Sequence, residues 1–145
     1  MLNEARPNVS NEYHISTSTM NTLLSTSSIQ NTDIVNPQGE SLGTVTDLMI
    51  DPQSGRVQYA VLDFGGFLGI GDKLFAVPLE AFTIDRTNER FVLDVPKDRL
   101  ENAPGFPKND WPSNPDPQFV EGVYDYYGQR ETYLRSRVNE PVLSN

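Results

Sequence analysis

Large apolar side chains are scattered and unpatterned as far as Ser27, then crowd into short alternating runs between Ser28 and Pro104, then give way to proline and aromatics. The middle zone reads as short strands between turn signals, a small all-β domain. "NPQG" (Asn36 to Gly39) and "DPQSG" (Asp51 to Gly55) carry Pro early and Gly late, as tight turns require. The run between them, "ESLGTVTDLMI", predicts a strand whose apolar residues fall on both parities: Leu42, Leu48 and Ile50 against Val45 and Met49. Gly43 within it predicts a bulge or a sharp bend. In "RVQYAVLDF", Val57, Tyr59 and Val61 share one face and Ala60, Leu62 and Phe64 the other. Both faces are apolar, so this strand is expected to be central and covered twice.

"KLFAVPL" is a further strand, stopped by Pro78. "EAFTIDRTNERFVLDV" reads as a corner, a short strand, a turn at "RTNE" and a last strand with Phe91, Leu93 and Val95 on one face. "PKDRLENAP" allows one or two helical turns. Beyond it, five prolines between 104 and 117, interleaved with Phe106, Trp111 and Phe119, describe an extended arm. Phe106 and Trp111 are expected to pack on the outer surface of the β domain. "FVEGVYDYYG" predicts a short helix with an aromatic face, weakened by Gly122, and the Arg-rich end after it is expected to fray. Residues 1–27, rich in Ser, Thr and Asn, cannot bury enough surface to offset their ordering entropy and are expected to be disordered. Leu23 and Leu24 are the only candidate docking pair within them. The expected division is a tail at 1–27, a β domain at 28–104 and an arm at 105–145.

Charge narrows the function classes. The net charge is -9 over 145 residues, so no counterion release favours nucleic acid, and anionic membrane surfaces are disfavoured too. Absence of cysteine removes disulfides, thiolate metal sites and thiol nucleophiles. No apolar run is long enough to span a membrane, and the N-terminus lacks the features of a secretory signal. A cytoplasmic location is expected.

The order of elements resembles the PRC-barrel family, named for the photosynthetic reaction centre H subunit. The stretches that carry it are "DIVNPQGESLG", the Asp47-to-Asp51 pair ahead of "SGRV", "KLFAVP" and "RFVLDVPKDRLENAPGF", together covering roughly residues 28 to 107. "NDWP" and "YDYYG" look like the tail of stand-alone bacterial members. The resemblance implies a small, strongly bent antiparallel β-barrel used as an adaptor. Relatives sit in the H subunit, in the C-terminal half of a ribosome maturation factor and in stand-alone proteins. This chain has neither the membrane helix of the first nor the N-terminal barrel of the second, so a photosynthetic or ribosomal role does not transfer.

The chemical motifs are weak. Glycines at 65, 66, 69 and 71 suggest a phosphate loop, but the spacing is reversed for a dinucleotide fingerprint and a strand follows rather than a helix. The large side chains Phe67, Leu68 and Ile70 argue instead for a loop that seals one end of the barrel or packs in a subunit contact. Asp47 and Asp51 would lie about 13 Å apart on a regular strand, too far for one cation, and Asp51 opens a turn that favours Asp. The single histidine, His14, stands in the Ser/Thr-rich tail with no scaffold to aim it.

The expectation is therefore a non-catalytic interaction module that binds no cofactor and no metal and self-associates, as a dimer, to cover its apolar outer faces. Phe67, Leu68, Ile70, Phe106, Trp111, Tyr124, Tyr126 and Tyr127 are the candidate contact residues. A small-ligand or divalent-metal-dependent enzyme using the acidic strand ends is the alternative.

Overall fold

The structure, a computed structural model, describes residues 23–65, 72–114 and 116–138. A one-turn helix α1 (Thr26–Ile29), with Ser25 as its N-cap, leads into β1 (Asp33–Val35) and the long β2 (Ser41–Asp51). The strands β3 (Arg56–Asp63), β4 (Lys73–Val77), β5 (Thr83–Asp85) and β6 (Arg90–Val92) follow, with a 3-10 turn (Leu79–Ala81) at the corner after Pro78. Helix α2 (Lys97–Glu101) precedes β7 (Gly105–Pro107), and helices α3 (Pro117–Tyr126) and α4 (Arg130–Val138) complete the described chain.

The seven strands form one sheet in the order β5-β6-β1-β2-β3-β4-β7. Two expectations are corrected here. Among the described residues the sheet is open, with β5 and β7 as its edges, and one neighbour pair is parallel: Ile34 and Val35 of β1 lie beside Phe91 and Val92 of β6. The parallel pair arises because β6 returns to the free side of β1 only after the intervening chain has built the other side of the sheet. Both edges are three residues long, and one carries Pro107, which has no N–H to offer a further strand.

Gly43 marks a bulge, as its position predicts: opposite β1 the register slips across Leu42, with Ile34 beside Gly43 and Val35 beside Ser41. A second slip explains the mixed parity of β2. Val45 faces Leu62 and Asp47 faces Val61, leaving Thr46 unpaired. The extra residue puts Val45 and Leu48 on the same side.

β3 is covered on both faces, as its two apolar parities predict. Ala60, Leu62 and Phe64 join Ile34, Val45, Phe75, Leu93 and Leu100 in the first core, where Phe64 and Phe75 meet with ring centroids 5.3 Å apart. Tyr59 and Val61 join Leu74, Ala76 and Phe106 in a second core on the opposite face. Each such buried side chain contributes about 1.5–3 kcal/mol, so neither face could be left bare.

The arm supplies the second cover. Phe106 is a strand residue of β7, paired with Leu74, and its side chain joins the second core on the outer face of the sheet. Trp111 packs on Phe106 at 5.4 Å between centroids and is half-buried, its indole N–H donating to the Lys108 carbonyl at 2.7 Å. Asp116 caps α3 by accepting from the Phe119 N–H at 3.2 Å, Pro117 occupies the first turn, and Gly128, at φ 71, ends it. Val120, Val123 and Tyr124 thereby face the second core. The frayed end expected beyond them is instead α4. Its single inward aromatic, Tyr133, lies 5.4 Å from Tyr124, and Arg130 ties the two helices through a 2.8 Å ion pair with Glu121. Residues 1–22, the Phe67, Leu68 and Ile70 positions, and residues 139–145 lie outside the described part of the chain. Leu23 is fully exposed and Leu24 half so, whereas the following helix buries Ile29 in the first core, so the fold begins ahead of residue 28.

Candidate functional site

Where the arm crosses the far end of β2 and β3, the second face is not filled. A groove of about 690 Å³ remains between sheet and helices. Its floor is Met49, Val57 and Tyr59 from the sheet, with Ile50 at the rim; its opposite wall is Phe119, Val120, Tyr124 and Tyr133 from α3 and α4. Tyr59 and Phe119 meet edge-on across it at 5.7 Å. The volume lies within the range of small-molecule and peptide-anchor sites.

Among the described residues three carboxylates line the groove, and each is held by the fold. Asp51 turns its oxygens into its own turn, accepting from the Gln53 N–H at 3.0 Å and the Ser54 hydroxyl at 3.2 Å. Asp116 caps α3. Glu80 accepts the Tyr124 hydroxyl at 3.2 Å. Arg56, the cation that lines the groove among the described residues, is differently placed. Arg56 stands opposite Asp51 in the ladder, but the Asp51 oxygens point into the turn, and among the described residues the guanidinium has no side-chain partner. Its Nε is shielded from water and makes no hydrogen bond.

The candidate contact residues divide between two places. Phe106 and Tyr124 line the groove, with Trp111 behind Phe106. Tyr126 and Tyr127 project from the other side of α3 onto the first core and α2. There the Tyr126 hydroxyl donates to the Arg99 carbonyl at 2.6 Å, Arg99 donates back to the Tyr126 carbonyl, and its guanidinium lies 3.9 Å over the ring. These two tyrosines therefore fasten the helix rather than build the groove. Arg56, Glu80, Phe119 and Tyr133 were not legible as site residues. Only the rarity of basic residues in so acidic a chain marks Arg56, and nothing in sequence shows that Asp51 is occupied elsewhere.

The acidic strand ends are likewise structural. Asp63 accepts from the Gly65 N–H at 2.8 Å and pairs with Lys108 at 3.4 Å. Asp85 accepts from the Asn88 amide at 2.9 Å and from Arg90 at 3.1 Å; the Asn88 hydrogen bonds, then Arg90, hold its carboxyl below the usual range. Among the described residues no three His, Cys, Asp or Glu side chains gather as a metal site would need. Lys73, which follows the glycine stretch, donates to the Ala103 carbonyl at 3.0 Å and lies over the Phe75 ring at 4.7 Å. It thus joins β4 to the chain after α2.

An open seven-stranded sheet with two buried faces, one roofed by helices, defines a small β domain with a built-in arm and a half-lined groove. The PRC-barrel domain family matches residues 21–100, more than half of the chain, and the protein belongs to that family. No curated protein sequence matches the chain closely enough to count as a relative. No described helix is long and apolar enough to cross a membrane.

Phenol burial carries a pH prediction. Burial raises the Tyr124 hydroxyl well above its ordinary value of 10.0, with Glu80 adding to the shift; burial does the same at Tyr127, with Tyr126 adding to it and Arg99 opposing. Tyr59 is raised by burial as well. Unfolded phenols release their protons near pH 10 while the folded ones retain them, so stability is whole below that pH and falls as pH rises above it. Melting temperature is expected to hold level from pH 8 to about 9.5 and then drop steeply. A flat profile through pH 11 would show that these hydroxyls are not buried.

Proposed function

We propose that this protein is a non-catalytic interaction module of the PRC-barrel type. The observation that carries it is the contrast within the groove: every carboxylate that could act as an acid or base is engaged in holding the fold, while the apolar walls and Arg56 are uncommitted. Catalysis by general acid and base needs titratable groups aimed at the reacting atom. Recognition needs apolar walls and a few convergent polar groups, and that is the supply here.

Self-association is part of the proposal in a narrower form than apolar excess alone would imply. The arm already covers the second face within one chain, which removes the largest motive for a dimer. What remains among the described residues, besides Leu23 and Leu24 ahead of α1, is Ile50 at the groove rim and Leu134 on α4, both close to half exposed. If copies pair through them, light scattering of the full chain at high micromolar concentration gives twice 16.2 kDa, and Ile50→Lys with Leu134→Lys returns the mass of one chain. A single-chain mass for the unsubstituted protein contradicts self-association and leaves the adaptor to act as a monomer.

A further inference from the structure

We propose that the groove is a binding site for a small monocarboxylic acid with a hydrocarbon or aromatic body, its carboxylate held by Arg56. The inference goes beyond the adaptor reading and does not depend on self-association, since the groove is built within one chain.

A guanidinium is a fork of donors that suits one carboxylate, two N–H bonds to two oxygens. A donor shielded from water and left unbonded costs free energy, because its hydration is lost and nothing replaces it. Arg56 Nε is such a donor, itself closed to solvent, so an incoming carboxylate would meet the guanidinium through its terminal N–H groups, where Arg56 lines the groove. Burial inside an apolar groove strengthens that pairing, since the surrounding dielectric is lower than in water.

The three carboxylates set the charge of the ligand. Asp51, Glu80 and Asp116 all line the groove, so a dianion such as a phosphate monoester would gain one guanidinium and face three negative groups. A monoanion asks least of that balance. Its apolar body then has Met49, Phe119 and Val120 to lie against. A groove of about 690 Å³ is roomy enough for an acyl chain or a substituted ring.

The test uses the full chain with its backbone amide resonances assigned. 4-Phenylbutyrate, decanoate and indole-3-acetate are titrated alongside the primary amide of each. At least one acid is expected to bind saturably in the micromolar to low millimolar range, with shifts concentrated on 49–59 and 119–136. The matching amide should bind at least tenfold more weakly, and Arg56→Met should reduce the acid to the level of its amide. The proposal is overturned if none of the acids saturates, if acid and amide bind alike, if the shifts fall elsewhere, or if a folded Arg56→Met binds the acid undiminished. The comparison of acid with amide needs no substitution, so it decides the matter even if Arg56→Met fails to fold. Adaptor function could survive that failure, because the mass measurement above is independent of it.

Discussion

Val123→Asp is expected to lower the free energy of unfolding by about 3–5 kcal/mol, as an unpaired charge in a closed core does. Val123 is wholly buried on α3, within the cluster that contains Tyr59, Val61, Leu74 and Ala76. A carboxylate there has no cation to meet, and lifting the helix to hydrate it would bare the aliphatic and aromatic side chains of β3 and β4. The neighbouring Gly122→Ala should act in the opposite direction. A methyl at Gly122 points into open space, so in a true helix it should add about 0.5–1 kcal/mol. Urea denaturation of both variants reads the pair. Near-neutral effects at both positions would mean that the arm does not form part of the cooperative fold.

Gly43→Ala is expected to cost more than about 3 kcal/mol, comparable to emptying a core site, although it adds only one methyl group. The new Cβ would fall on the carbonyl oxygen of Asp63 and press on the Phe64 ring. Neither can yield easily: Asp63 is fixed in the ladder opposite Thr44, and Phe64 is fully buried. The bulge at Leu42 brings the two backbones this close, and only a residue without a side chain admits it. Gly39→Ala is the contrast. Gly39 has a left-handed φ of 87 and nothing near its missing Cβ, so its cost should be only the conformational one, about 1 kcal/mol. Equal losses at the two glycines, measured by thermal unfolding, would contradict the close approach at Gly43.

The residues that made the fold legible are those whose pattern is local. Two apolar parities in "RVQYAVLDF" foretold a strand covered on both faces, Pro78 stopped β4, and "RTNE" turned β5 into β6. Closure and direction were not legible in the same way. They depend on which side of β1 receives β6, a contact across more than fifty residues that no local pattern encodes. β7 was hidden for another reason: in "GFP" the proline and glycine that signal an extended arm also suit a short edge strand. α4 was missed because it holds one inward aromatic among charges; its place comes from Tyr124 and Glu121 on α3 rather than from its own amphipathic pattern. The groove shows the same limit more sharply. Tyr124 and Phe106 were marked by aromaticity, whereas the importance of Arg56 arises from the absence of a partner, which only the arrangement of the Asp51 turn reveals.

The central claim is that the arm is an integral layer of the protein, closing the second face of the sheet and leaving the groove beneath it. Native-state hydrogen exchange tests it most directly, because amides report the free energy of opening residue by residue. The account predicts that the α3 amides at Val120, Val123 and Tyr124 exchange as slowly as those of Tyr59 and Val61 in β3, through one shared global opening. If α3 exchanges near the rate of an unprotected chain while β3 remains slow, the arm is not the cover of the second face and the groove is not a site.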